Sequence, residues 1–220
     1  MTVIRLSARE NAPYIGRMNR RSLFLAPLVA LSLALPASAA EEIPLSVLSS
    51  YLNGLVTAKA RFRQTNPDGS ISDGTLYLKR PGRLRFEYDP PNPALVISSG
   101  GGVAIFDNKS NEPPQQFPLK STPLSVILQR DVDLSNARMI VDHSFDGEIT
   151  SITAQDPDRP DIGHIELRFS DNPVALREWI ITDQSGSQTT VTILSMQTGM
   201  DLPPSLFSII NQINENRTGR

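Results

Sequence analysis

Between residues 43 and 56 the apolar positions recur at intervals of three and four: Leu45, Leu48, Leu52, Leu55 and Val56. That spacing gathers them along one side of a helix. Beyond this segment the period falls to two, the mark of a strand with one face buried. In 83–88 the residues Leu84, Phe86 and Tyr88 share one face, and Arg83, Arg85 and Glu87 the other. Further strands are predicted closing at Phe62 and Gln64, over 75–79, 95–98 and 103–106, and after Ile140 near 147–154, 163–169, 174–182 and 187–195. Turn residues separate them: Asn66-Pro67-Asp68-Gly69, Pro81-Gly82, Gly100-Gly101-Gly102, Asp146-Gly147, Asp156-Pro157, Asp171-Asn172-Pro173 and Gln184-Ser185-Gly186. Residues 107–120 read as a loop with room for one short strand. A hydroxyl at Ser121 or Thr122 followed by Pro123 opens a short helix carrying Leu124, Val126, Ile127 and Leu128. The expectation is a mainly β (α+β) domain of about ten or eleven antiparallel strands and two helical pieces.

The first forty residues follow a different logic. Arg20 and Arg21 precede an uncharged apolar run from Leu23 to Leu35, and Ala37-Ser38-Ala39 supplies small residues for cleavage. The run falls short of the roughly 20 residues a membrane-spanning helix needs. Residues 1–39 are therefore expected to be an N-terminal extension and cleaved signal peptide, and 40–220 the exported domain. Past residue 39 there remain sixteen basic and twenty-two acidic side chains, a net charge of about −6. A nucleic-acid partner that relies on a basic surface is excluded. Cysteine is absent, which removes disulfides, thiol nucleophiles and Cys-ligated metals.

Catalytic chemistry finds little material. The two histidines, His143 and His164, have acidic neighbours in Asp142 and Asp161, but no G-x-S-x-G elbow accompanies them. Asp156, Asp158 and Asp161 crowd a proline-containing turn and read as a solvated acidic loop. Gly100-Gly101-Gly102 lacks the Lys-Ser/Thr of a phosphate loop and reads as a hairpin turn. What remains is apolar surface. A long antiparallel sheet can curl until it nearly closes, and either helices or a ligand must then fill it. Alternation alone describes both cases equally well.

Particular residues point further. Phe62-x-Gln64, the run Asp73-Gly74-Thr75-Leu76-Tyr77-Leu78-Lys79-Arg80-Pro81-Gly82-Arg83-Leu84-Arg85-Phe86-Glu87-Tyr88, Pro90-Pro91 and Leu95-Val96-Ile97-Ser98-x-Gly100 resemble the LolA family of periplasmic outer-membrane lipoprotein carriers. Thr122-Pro123-Leu124-Ser125-Val126-Ile127-Leu128 is similar to the family's second helix. The chain departs at Ser99, where the family has Asp, and at its C-terminal end. The resemblance implies an incomplete antiparallel β-barrel of about eleven strands with short helices forming a lid. It implies an acyl-chain cavity at Phe62, Leu84, Phe86 and Tyr88, and a lid of Leu48, Leu52, Leu55, Leu124, Ile127 and Leu128. Arg80 would be the lid latch, where its position alone suggests only a hairpin-end arginine. It further implies a monomeric, non-enzymatic carrier without cofactors. Its partners would be acylated lipoproteins, an inner-membrane ABC-type lipoprotein-releasing transporter and an outer-membrane receptor. A periplasmic lipid- or lipoprotein-sensing regulator of the same fold is the alternative.

Overall fold

In the computed structural model, strands that neighbour each other in the sheet also follow each other along the chain, with one exception. The structure describes residues 41–92, 94–107, 112–135 and 138–218, so the expected signal peptide lies outside the described residues. Eleven strands form one antiparallel sheet: β1 (Thr57–Thr65), β2 (Ile71–Lys79), β3 (Arg83–Tyr88), β4 (Ala94–Ser99), β5 (Gly102–Asp107), β6 (Gln115–Pro118), β7 (Ile140–Phe145), β8 (Ile149–Gln155), β9 (His164–Ser170), β10 (Ala175–Thr182) and β11 (Gln188–Thr198). Their order is β6-β5-β4-β3-β2-β1-β11-β10-β9-β8-β7. Among the described residues only the β1–β11 pair joins distant parts of the chain. Among the described residues β6 and β7 remain as unpaired edges, so the barrel stays open. β3 keeps its expected bounds, while β2 begins four residues early, at Ile71.

The sheet curls strongly. Four strand spacings separate β3 from β10, about 19 Å in a flat sheet. Yet Phe86 of β3 and Trp179 of β10 bring their ring centroids to 6.3 Å. The face that turns inward carries Ala58, Ala60 and Phe62 of β1, Leu76 and Leu78 of β2 and, in the second half of the sheet, Ile165 and Leu167 of β9. α1 (Leu45–Gly54) and the single turn α2 (Ser125–Leu128) pack against this face. α2 starts later than Pro123 suggests. Thr122 Oγ1 donates back to the Leu119 carbonyl at 2.8 Å instead of capping the helix, and among the described residues no side chain caps it.

The opposite face has its own small core. Leu95, Ile97, Ala104 and Phe106 are buried there against Ile209 and Ile213 of a third helix, α3 (Ile209–Thr218). No expectation covered α3, because three isoleucines among asparagines and a glutamine give a weak periodic signal. The approach to α3 is fixed through the same outer face. Lys79 Nζ donates to the Leu202 carbonyl and Arg85 Nη1 to that of Leu206 at 3.1 Å. The residues considered for catalysis come from different elements. His143 on β7 has Nε2 3.1 Å from the Ile43 carbonyl, and His164 opens β9. Asp156 accepts from the Asp158 N–H at 2.9 Å within its own turn.

Candidate functional site: the enclosed apolar face

Lid and sheet residues converge. Leu48 and Leu52 of α1 with Leu55 just past its end, Val126, Ile127 and Leu128 of α2, and Phe62, Leu84 and Phe86 of the sheet belong to one buried cluster. Tyr88 and Leu124 pack against it, partly buried. The free space left inside is small, about 30 Å³, room for little more than a water molecule. It is bordered by Leu52 from α1, Leu55 just past that helix, Ile127 from α2, and Leu84, Leu176 and Trp179 from the sheet.

Of the four residues expected to form the cavity, only Leu84 borders this space. Phe62, Phe86 and Tyr88 make an aromatic cluster beside it. Phe62 meets Phe86 edge-to-face at 5.1 Å and Tyr88 at 5.3 Å. The cluster explains Gly74, which faces Phe62 across the β1–β2 pair. A Cβ at residue 74 would stand 2.6 Å from Phe62 Cζ and 2.4 Å from the Glu87 carbonyl oxygen, so only glycine leaves room for the ring.

Tyr88 carries a hydroxyl into this apolar setting and donates it to Gln64 Oε1 at 2.7 Å. That contact accounts for the glutamine two residues after Phe62. Burial pushes the Tyr88 phenol up to about 12 from an ordinary 10. The folded state thus holds this proton more tightly than the unfolded chain. Its contribution is whole below about pH 10 and is lost as pH rises through about 12. Denaturant midpoints should fall by the equivalent of about 2 kcal/mol across that window. In Tyr88→Phe this loss should be absent; an unchanged alkaline profile would show that the phenol does not titrate as described.

Arg80 stands where lid and sheet meet. It follows β2 and is only 9% exposed. Its Nη1 donates to the Leu52 carbonyl of α1. On the other side, Nε and Nη2 reach the Gln129 carbonyl, just past α2, at 3.2 and 2.6 Å. Nη2 also lies 3.3 Å from Asn53 Oδ1 and 3.4 Å from the Arg130 carbonyl. The planar guanidinium supplies enough donors to span both helices at once. Burial draws its pKa below the ordinary arginine value, while the charge of Asp131 acts in the opposite sense.

Other contacts, which no local pattern announces, bind the two lid pieces together. Asn53 Nδ2 donates to the Val132 carbonyl and its Oδ1 accepts from the Val132 N–H, both at 2.9 Å. Ser49 Oγ accepts from the Leu134 N–H at 2.9 Å. Tyr51 OH accepts from the Leu176 N–H at 3.1 Å, fixing α1 to β10. These partners are far apart in the chain, so only the folded structure shows them.

Fold and site together define an open-barrel protein whose helices cover an apolar inner face and whose buried Arg80 donates to backbone carbonyls at both helices. Residues 53–210 match the family described as outer membrane lipoprotein carrier protein LolA, and the chain belongs to that family. The outer-membrane lipoprotein carrier protein of Methylococcus capsulatus is similar to it at 28% identity over 196 residues, covering 85% of this chain and 91% of the relative. The protein of the same name from Pseudomonas aeruginosa is 28% identical over 196 residues, with 86% and 92% covered. Among solved structures, a LolA superfamily protein from Nitrosomonas europaea aligns at a TM-score of 0.43 and 12% identity, over 77% of this chain and 99% of the other.

Proposed function

We propose that this protein is a periplasmic carrier that shields the acyl chains of lipoproteins and moves them from the inner to the outer membrane. The observation that carries the reading is an apolar interior closed by helices yet nearly empty of free space, about 30 Å³. An acyl chain cannot enter it unless the helices move, and the bonds from Arg80 to carbonyls at both helices support its governing that movement.

The magnitudes suit transport better than storage. Burying a sixteen-carbon chain contributes roughly 10 kcal/mol at about 0.8 kcal/mol per methylene. Exposing the lid side chains Leu48, Leu52, Leu55, Leu124, Ile127 and Leu128 costs a sum of the same order, at about 1.5–3 kcal/mol for each one fully exposed. Opening an empty protein therefore offsets much of the gain from filling it. Cargo is held against water but can be passed to a bilayer or a receptor that binds it better. Extraction from the inner membrane is assigned to an ABC-type releasing transporter, and delivery to an outer-membrane receptor. Among the described residues no helix is long and apolar enough to cross a membrane. The carrier itself performs no covalent chemistry in this scheme.

The protein from residue 40 onward, added to spheroplasts synthesising a labelled outer-membrane lipoprotein, should carry label into the soluble fraction as a complex. A proven carrier in a parallel incubation supplies the reference. Release by the reference without release by this protein would overturn the carrier reading and favour a lipid-sensing one.

A further inference from the structure

A space meant only for hydrocarbon needs no hydrogen-bond donor, yet one borders it. Trp179, on β10, is 2% exposed and lines the free volume under the lid. Its Nε1–H is buried and meets no acceptor among the described residues. The aliphatic side chains around the space offer none. Phe86 lies edge-to-face at 6.3 Å between centroids, a contact of second order compared with a hydrogen bond. Arg80, the other polar group at this space, has donors of its own, already committed to lid carbonyls.

A buried donor without a partner costs a folded protein roughly a factor of ten or more in stability. A phenylalanine would fill similar space without that penalty. The indole makes sense if its partner arrives with the ligand. Fatty acyl chains bring one acceptor into an apolar site, the carbonyl oxygen of the ester or amide that joins them to their headgroup. That oxygen loses its water hydrogen bonds on entry and needs a donor in turn. We infer that Trp179 Nε1–H donates to an acyl carbonyl of the bound lipid, which makes the site selective for acyl linkages over plain hydrocarbon or ether chains. Arg80 borders the same space, so the donor and the latch face one volume. This inference rests on the carrier reading, and the test separates the two.

Two glycerol lipids of matched chain length serve as probes: 1,2-dioctanoylglycerol, with ester carbonyls, and 1,2-di-O-octylglycerol, with ethers. Calorimetric titration of the wild-type protein should give roughly fivefold tighter binding of the ester. In Trp179→Phe the two probes should bind alike. Because Trp179 is the only tryptophan in the chain, a ¹H–¹⁵N spectrum contains a single indole cross-peak to follow. Its proton should move downfield on adding the ester and not the ether, a readout that stands even if the variant folds poorly. Equal binding of both probes by wild type, an ester preference that survives Trp179→Phe, or the same indole shift with both probes overturns the inference while leaving the carrier reading in place. Failure of wild type to bind either probe overturns both.

Discussion

Arg80→Leu is expected to yield a protein that loads cargo and then keeps it. The wild-type side chain donates to carbonyls on both lid pieces, Leu52 on one side and Gln129 on the other. Hydrogen bonds from a charged donor are each worth about 1.5–3 kcal/mol. Losing two of them weakens the closed, empty state by about 3 kcal/mol or more. Opening then subtracts less from binding, and apparent affinity for acyl chains rises by roughly two powers of ten. Affinity changes of this kind fall mostly on dissociation. Transfer of a preformed lipoprotein complex to outer-membrane vesicles should therefore slow roughly tenfold or more, while uptake from spheroplasts continues. Arg80→Lys should fall between the two, since one ammonium on a flexible stem does not reproduce a planar fork between two carbonyls. Transfer by Arg80→Leu at the wild-type rate would remove the latch from the mechanism.

Leu84→Glu should fail at the opposite step. Leu84 is 3% exposed, faces Leu78 across the β2–β3 pair and borders the free space. A carboxyl there is buried against hydrocarbon, which resists ionisation and leaves polar oxygens unpaired. Acyl chains meeting it would lose more than they gain, and soluble lipoprotein should drop to background. The same burial destabilises the fold, so a melting curve accompanies the assay. Arg83→Glu supplies the control, because it places the same charge on the other face of β3. Loading by Leu84→Glu at the wild-type level would contradict the assignment of this face to the ligand.

Much of this architecture is written in the alternation of single strands. β3 follows its pattern residue for residue, since Leu84 and Phe86 point inward with no interruption between them. The inner wall contributed by the C-terminal half is less legible, and bulges are the reason. The β1–β11 register slips between Arg61 and Phe62, where Ser195 and Ile193 are the successive partners on β11. The β9–β10 register slips between Leu176 and Glu178. Counting by twos from Ile193 puts Met196 outside, and counting from Leu176 does the same for Trp179, yet both border the enclosed space. An extra residue in one strand resets the count without leaving a mark in composition. The lid shows the same division. Its leucines are visible from helical spacing, whereas Asn53, Ser49 and Tyr51 act on partners that no local pattern predicts.

The single pairing that breaks chain order, β1 with β11, sets the route by which the protein folds. Every other ladder joins consecutive strands and can form as a local meander, β1 to β6 in one half and β7 to β11 in the other. Local contacts form early because little loop entropy opposes them. The seam joins Ala58 to Thr198 and Thr65 to Thr190, and so waits until both meanders exist. Until it zips, each half shows its apolar face to water and has strand edges open to foreign chains. The last strand to be synthesised thus completes the inner surface. Folding kinetics and protection from aggregation should both be governed by the arrival of residues 188–198.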